Sequence, residues 1–155
     1  MLVTDPDPEI AGNATRLIGE TNPAGSWIRE RVQDRNSRVQ LLAIEGLAKA
    51  VAHVAPAKRE VFVKAASSAL LEVLKRNQNQ DAHLRHVAVF ALARIGDLPA
   101  LLAAAKDESP AVRMGVCLAC AACNVPRSRS SSTTLIHRLL WKPPAPSTTR
   151  RFPKR

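Results

Sequence analysis

Four stretches of this 155-residue chain repeat one pattern, and that repetition restricts the available folds more than any other feature. With Ile10, Val39, Leu84 and Val112 as anchors, the residues four places on are Ala14, Ala43, Ala88 and Val116. Eight places on come Ile18, Leu47, Leu92 and Cys120. The anchors are 29, 45 and 28 residues apart. Positions 0, +4 and +8 share one face of an α-helix. The small +4 residue leaves room for another helix to cross closely, and the larger 0 and +8 residues fill the space beside the crossing. An acid stands five residues before three anchors, as Asp5, Asp34 and Asp107, where it is expected to cap the helix that follows. Arg85 and Arg113 follow two anchors directly and are expected to reach an acid of the neighbouring repeat.

Partner helices lie between the anchored ones. Trp27, Ile28 and Val32 mark a short helix ending near Asp34. Phe62, Ala66, Ala69, Leu70 and Val73 stripe a longer one, about residues 57–76, which accounts for the long middle spacing. Leu98, Leu101, Leu102 and Ala105 mark a third. No stretch alternates with period two, so the fold class is all-α. The expected order is three helix pairs and then an unpaired helix from Pro110 to about Cys123. Helical pairs that bury one face only by stacking make an α-solenoid. An unpaired last helix is expected to expose Val112, Val116 or Cys120 unless something covers it, as a truncated array or a stacked partner would explain.

The net charge of +10 does not belong to this helical region. Residues 1–125 hold 15 lysines and arginines against 13 acids, a net +2, whereas residues 126–155 hold eight basic residues and no acid. The last thirty residues also hold five of the eleven prolines and nine serines or threonines. Such a segment buries too little apolar surface to offset the entropy of ordering it, so 126–155 reads as a disordered Arg/Pro/Ser-rich tail. Within it only Leu135-Ile136-His137-Arg138-Leu139-Leu140-Trp141 has the pattern of a short amphipathic turn or two. So abrupt a change also fits non-native sequence from another reading frame. Nucleic-acid binding, which a high positive charge invites, is therefore expected only through the tail. Nothing before Asp5-Pro6-Asp7-Pro8 resembles a leader, so the default expectation is a cytoplasmic protein. Asn13-Ala14-Thr15 matches a glycosylation sequon but falls inside a helix, where chance is the better reading.

The chemistry-bearing residues have plain explanations. Cys117, Cys120 and Cys123 are spaced like part of an iron–sulfur run, but a fourth thiolate is missing. On a helix each steps about 60° from the last, so they read as buried fillers among alanines. His137, a conceivable fourth ligand, sits in the tail. His83 and His86 with Asp81 read as polar residues at the exposed start of a helix, and His53 has no visible partner. Lys58, Arg59, Lys64, Lys75 and Arg76 alternate with Glu60 and Glu72 as a solvated helix face does. No catalytic, cofactor-binding or metal-binding set emerges.

The run Asp107-Glu108-Ser109-Pro110-Ala111-Val112-Arg113-Met114-Gly115-Val116-Cys117-Leu118-Ala119 resembles the first helix of a HEAT repeat. Residues 81–97 and 34–47 resemble it too, and the likeness covers residues 5–124 in the short, bacterial style. It implies stacked helical hairpins and a non-catalytic scaffold with a protein partner. Arg29, Arg31, Lys64 and Arg94 are the candidate interaction face, on the concave side formed by the second helices. Residues 84–119 also resemble the HEAT segment of large bacterial membrane-associated dehydrogenases that carry a c-type haem domain. On that likeness the chain is a fragment of a cell-envelope oxidoreductase, with its chemistry elsewhere.

Overall fold

A computed structural model describes residues 2–21 and 27–123. The expected tail, 126–155, lies outside them, as does His137. The described residues form seven α-helices: α1 (Pro8–Thr21), α2 (Trp27–Arg31), α3 (Ser37–Ala50), α4 (Pro56–Asn77), α5 (Ala82–Ile95), α6 (Leu98–Ala104) and α7 (Pro110–Ala122). Short 3-10 turns lie at Leu2–Thr4 and Val51–His53. None of these helices is long and apolar enough to cross a membrane.

Local chemistry sets the helix ends. The side chain of Asn36 accepts from the backbone N–H groups of Arg38 and Val39, and that of Asp81 from His83 and Leu84. Asp97 accepts from Ala100. Pro56 and Pro110 open α4 and α7, where a missing N–H costs nothing. The expected capping role of Asp5, Asp34 and Asp107 is corrected in detail. Each carboxylate accepts the N–H two residues on, that of Asp7, Asn36 or Ser109, at 2.8–2.9 Å. These acids fold the turn that presents the residue before the helix, and at α3 that residue, Asn36, is the cap. α4 stops where Gln78 and Asn79 take positive φ. Asn77 clamps that turn, its amide donating to the Asp81 carbonyl while its carbonyl accepts the Asp81 N–H.

α5 stops at Gly96, whose φ of 69° suits glycine. A Cβ there would meet no atom within 4 Å. Gly96→Ala is therefore expected to cost only the left-handed backbone strain, about 1–2 kcal/mol, read as a small drop in the thermal midpoint.

The helices stack in two layers. α1, α3, α5 and α7 pack side by side in chain order, and α2, α4 and α6 lie against them. The expected count of three hairpins and one extra helix is present, but the pairing has a different phase. α2 packs on α3, α4 on α5 and α6 on α7, whereas α3 makes little contact with α4. The extra helix is thus α1. α7 packs on α4, α5 and α6, so Val112 and Val116 are buried and Cys120 is half-buried. The cover that this expectation left open is supplied by α4, α5 and α6.

The 0/+4/+8 stripe is the spine of the core. Val39, Ala43 and Leu47 are buried on α3, as are Leu84, Ala88 and Leu92 on α5. All of these but Val39 share one apolar cluster with Ile28, Leu70, Leu74 and Leu101 from the second layer. α1 departs from the pattern. Ile10 is 45% exposed, and the buried residues are Ala11, Gly12, Thr15 and Gly19. α5 is covered by α3, α4 and α7, but α1 has mainly α3, the short α2 and the Leu2–Thr4 turn against it. Its burial follows the face turned to α3. There the backbones nearly touch: a Cβ on Gly46 would lie 3.0 Å from the Arg16 Cα, and one on Gly19 3.2 Å from the Gly46 carbonyl carbon.

Candidate interaction surface

The repeat positions that do not face the core form the surface. Two ion pairs span it at the repeat distance of 29 residues: Arg38 with Glu9 and Lys49 with Glu20, the latter at 2.7 Å. Exposed pairs of this kind contribute little energy, but they mark the register of α3 on α1. The expected reach of Arg113 toward a neighbouring repeat is corrected. Its guanidinium donates to the carbonyls of Asp107 and Glu108 in the turn before its own helix. Gln40, one place after the Val39 anchor, likewise donates to the Val32 carbonyl. In these two repeats the anchor +1 side chain ties down the segment before its helix.

Lys49 holds the Glu20 carboxyl below its ordinary value of 4.5, chiefly through their hydrogen bond, against a smaller opposing effect of burial. A carboxylate whose folded pKa is lowered stabilises the fold above its unfolded pKa, and that contribution is lost as pH falls through the folded value. Glu20→Gln is therefore expected to flatten the acid limb of the stability curve. Below pH 4.5 the parent should lose stability more steeply than the variant, as read by denaturant midpoints.

Among the grooves of the described residues, two bear on the candidate interaction residues. One lies between α2 and α4, where Arg29, Glu30, Gln33, Ser68 and Glu72 line a shallow depression. The other, about 290 Å³, lies between α3 and α5 and is lined by Glu45, Ala48, Lys49, His86, Val87, Phe90, Ala91 and Arg94. The four candidate residues divide between these places and do not form one face. Arg29 is exposed in the first groove. Arg31 is held by Asp34 at 2.8 Å. Lys64 is exposed on α4, one residue from the groove-lining region that begins at Ala65. Arg94 sits on α5, in the layer of first helices and not of second ones, and lines the second groove.

Phe90, which the sequence reading did not single out, is the exposed aromatic of that groove, at 58%. Its signal was available. Phe90 occupies the +6 place, off the buried stripe, where the other repeats carry Arg16, Glu45 and Leu118. An aromatic there is not needed by the core.

Asp81 is engaged as a helix cap, while His83 and His86 are exposed. Among the described residues no group of three or more His, Cys, Asp or Glu is placed to hold a metal ion. Of the three cysteines expected to be buried, Cys117 is exposed. Burial pushes the Cys120 and Cys123 thiols up, and Cys123 donates to the Ala93 carbonyl at 3.3 Å. The Asn13 amide donates to the Glu9 carbonyl within α1. Arg76 pairs with Glu72 on the exposed face of α4.

The family description "HEAT repeats" matches residues 67–148, just over half of the chain. The chain belongs to the HEAT-repeat family. The match begins inside α4, takes in α5, α6 and α7, and continues past the described residues. HEAT repeats are typically protein-interaction scaffolds and the family is generally non-catalytic. No curated protein and no solved structure matches the chain.

Proposed function

We propose that this HEAT-repeat chain is a non-catalytic docking module that holds a protein segment in the groove between α3 and α5. The observation that carries this reading is Phe90, a large apolar side chain exposed among small residues and flanked by Lys49, Arg94, His86 and Glu45. Burying such a side chain favours association, and anchors of this kind tend to be aromatic or arginine. The mixed charges around it suit a short segment with one apolar anchor and an acidic neighbour to meet Arg94. The body carries only two more basic than acidic residues through position 125, a balance that supports a protein ligand over a phosphate backbone.

The test is capture of partners from a cell extract by the full chain. Phe90→Ala is expected to lower recovery of a specifically captured protein at least tenfold, about 1.4 kcal/mol or more of binding energy. Its circular dichroism melt should match that of the parent, because Phe90 lies outside the buried core. Equal capture by the parent and Phe90→Ala would remove this groove from the function.

A further inference from the structure

A first helix inside the stack has a back face on the first helix before it and a front face on the one after it. The +7 place belongs to the back face. Gly46, Ala91 and Ala119 hold it on α3, α5 and α7, and all three are buried. On α1 the same place is Leu17, which is 53% exposed. The +5 place belongs to the front face. Thr15, Ile44 and Val89 hold it on α1, α3 and α5 and are buried, whereas Cys117 on α7 is exposed. Both open faces are apolar. Ile10 stands beside Leu17 on α1, and Met114, Leu118 and Ala121 stand beside Cys117 on α7, all exposed. Exposed apolar faces of this kind mark contact surfaces.

We propose that these two faces join between copies of the chain, α1 of one copy lying on α7 of another, so that the layer of first helices runs on from chain to chain. The contact already present between α1 and α3 sets the pairing. There Leu42 lies against Gly12, and Gly46 lies against Arg16 and Gly19. Carried over by the repeat, Leu17 of one copy lies on Leu118 and Ala121 of the other, and Asn13 lies on Met114. The ion pairs Glu9–Arg38 and Glu20–Lys49 have as counterparts Glu9 against Ala111 and Glu20 against Ala122, so no like charges meet.

Charge favours this pairing over like with like. Residues 1–20 hold four acids and one arginine, a net −3. The side chains of Asp5 and Asp7 accept backbone N–H groups, and among the described residues neither pairs with a base. Beyond α7, residues 126–155 hold eight basic residues and no acid. Two α1 ends therefore repel, and so do two α7 ends, whereas an α1 end and an α7 end attract. A head-to-tail contact of this kind does not close on itself, so the assembly is open-ended. One helix face makes a small interface, and small interfaces are weak and transient. The chain is therefore expected to be a monomer at micromolar concentration and to assemble toward the millimolar range. The Phe90 groove lies between α3 and α5, away from both ends.

Sedimentation of the full chain across that range is the test. The average mass is expected to rise with concentration past that of a dimer. Leu17→Glu and Leu118→Glu each remove one face, and each is expected to weaken association at least about tenfold. Their circular dichroism melts should match the parent's, because both side chains are exposed. Mixed in equal amounts, the two variants should form a dimer and nothing larger, since the intact α7 of the first accepts the intact α1 of the second. A mixture that stays monomeric overturns the proposal. Association lost in only one variant overturns it too, and assigns the contact to a symmetric pairing of two α7 or two α1 faces. A parent that stays monomeric throughout overturns it as well, whether the faces stand open or are covered within the chain.

Discussion

Leu92→Asp is expected to abolish the cooperative melt of the whole array, leaving little helical circular dichroism at room temperature. Leu92 is 1% exposed at the +8 position of α5, the helix that α3, α4 and α7 all touch. A carboxylate there loses its hydration with no partner to replace it, at a cost of several kcal/mol. The total stability of a domain this size is about 5–15 kcal/mol. Leu92→Ala gives the graded version. Removing the buried side chain should cost about 2–5 kcal/mol, visible as a lower denaturant midpoint with an unchanged slope. A Leu92→Asp chain that melts like its parent would mean that α5 does not lie at the centre of the stack.

Gly46→Leu should have a large effect of a different kind, confined to one end. A Cβ at Gly46 is blocked by the backbone of Arg16, with the Cα at 3.0 Å and the carbonyl oxygen at 3.2 Å. Backbone cannot rotate aside, so a leucine must push α1 away from α3. Gly12 provides the contrast. Its Cβ would meet the Cδ1 of Leu42, the far end of a flexible side chain that can turn away. Gly12→Ala should therefore come close to neutral, since a helical alanine is also favoured over glycine by up to about 1 kcal/mol. In Gly46→Leu the α1 amides should exchange at near-unstructured rates while those of α5 to α7 keep their protection. Stacked arrays lose end units locally because each unit rests on its neighbours. Loss of protection throughout would mean instead that the fold is one cooperative centre.

The contrast between these two variants shows what the sequence made legible. The apolar stripe on α3, α5 and α7 could be read because leucine, valine and alanine at 0, +4 and +8 leave a period that only burial explains. The long α4 was read from its own stripe and from the stretched middle spacing. The α1–α3 contact was not, because it is made of absences. Gly12, Gly19 and Gly46 pack by having no side chain, and a search for apolar residues passes over them. Their spacing was a usable sign, since Gly12 and Gly19 are seven apart on one helix face. The phase of the hairpins was missed for another reason. Sequence order alone cannot say whether α4 folds back on α3 or forward onto α5. The tight Gln78–Asn79 turn joins α4 to α5, while the Val51–His53 turn intervenes between α3 and α4.

The interaction surface was less legible than the fold. Arginine and lysine were natural candidates, yet Arg31 is spent on Asp34, and Arg94 lies on a different layer from Arg29. A charged side chain in a sequence does not show whether a local acid already occupies it. Phe90 could have been found by asking which large apolar residue falls off the stripe. In a chain with three phenylalanines, no tyrosine and two tryptophans, such a residue stands out.

The distance between the two ends of the first-helix layer tests the stacked arrangement most directly. With the native cysteines replaced by alanine, spin labels at Leu17→Cys on α1 and Ala122→Cys on α7 can be measured by pulsed electron resonance. Three successive steps of about 8–10 Å separate α1 from α7 in a linear stack, so a distance near 25–30 Å or longer is expected. A narrow distribution below about 15 Å, the separation of helices packed around a common centre, would contradict it.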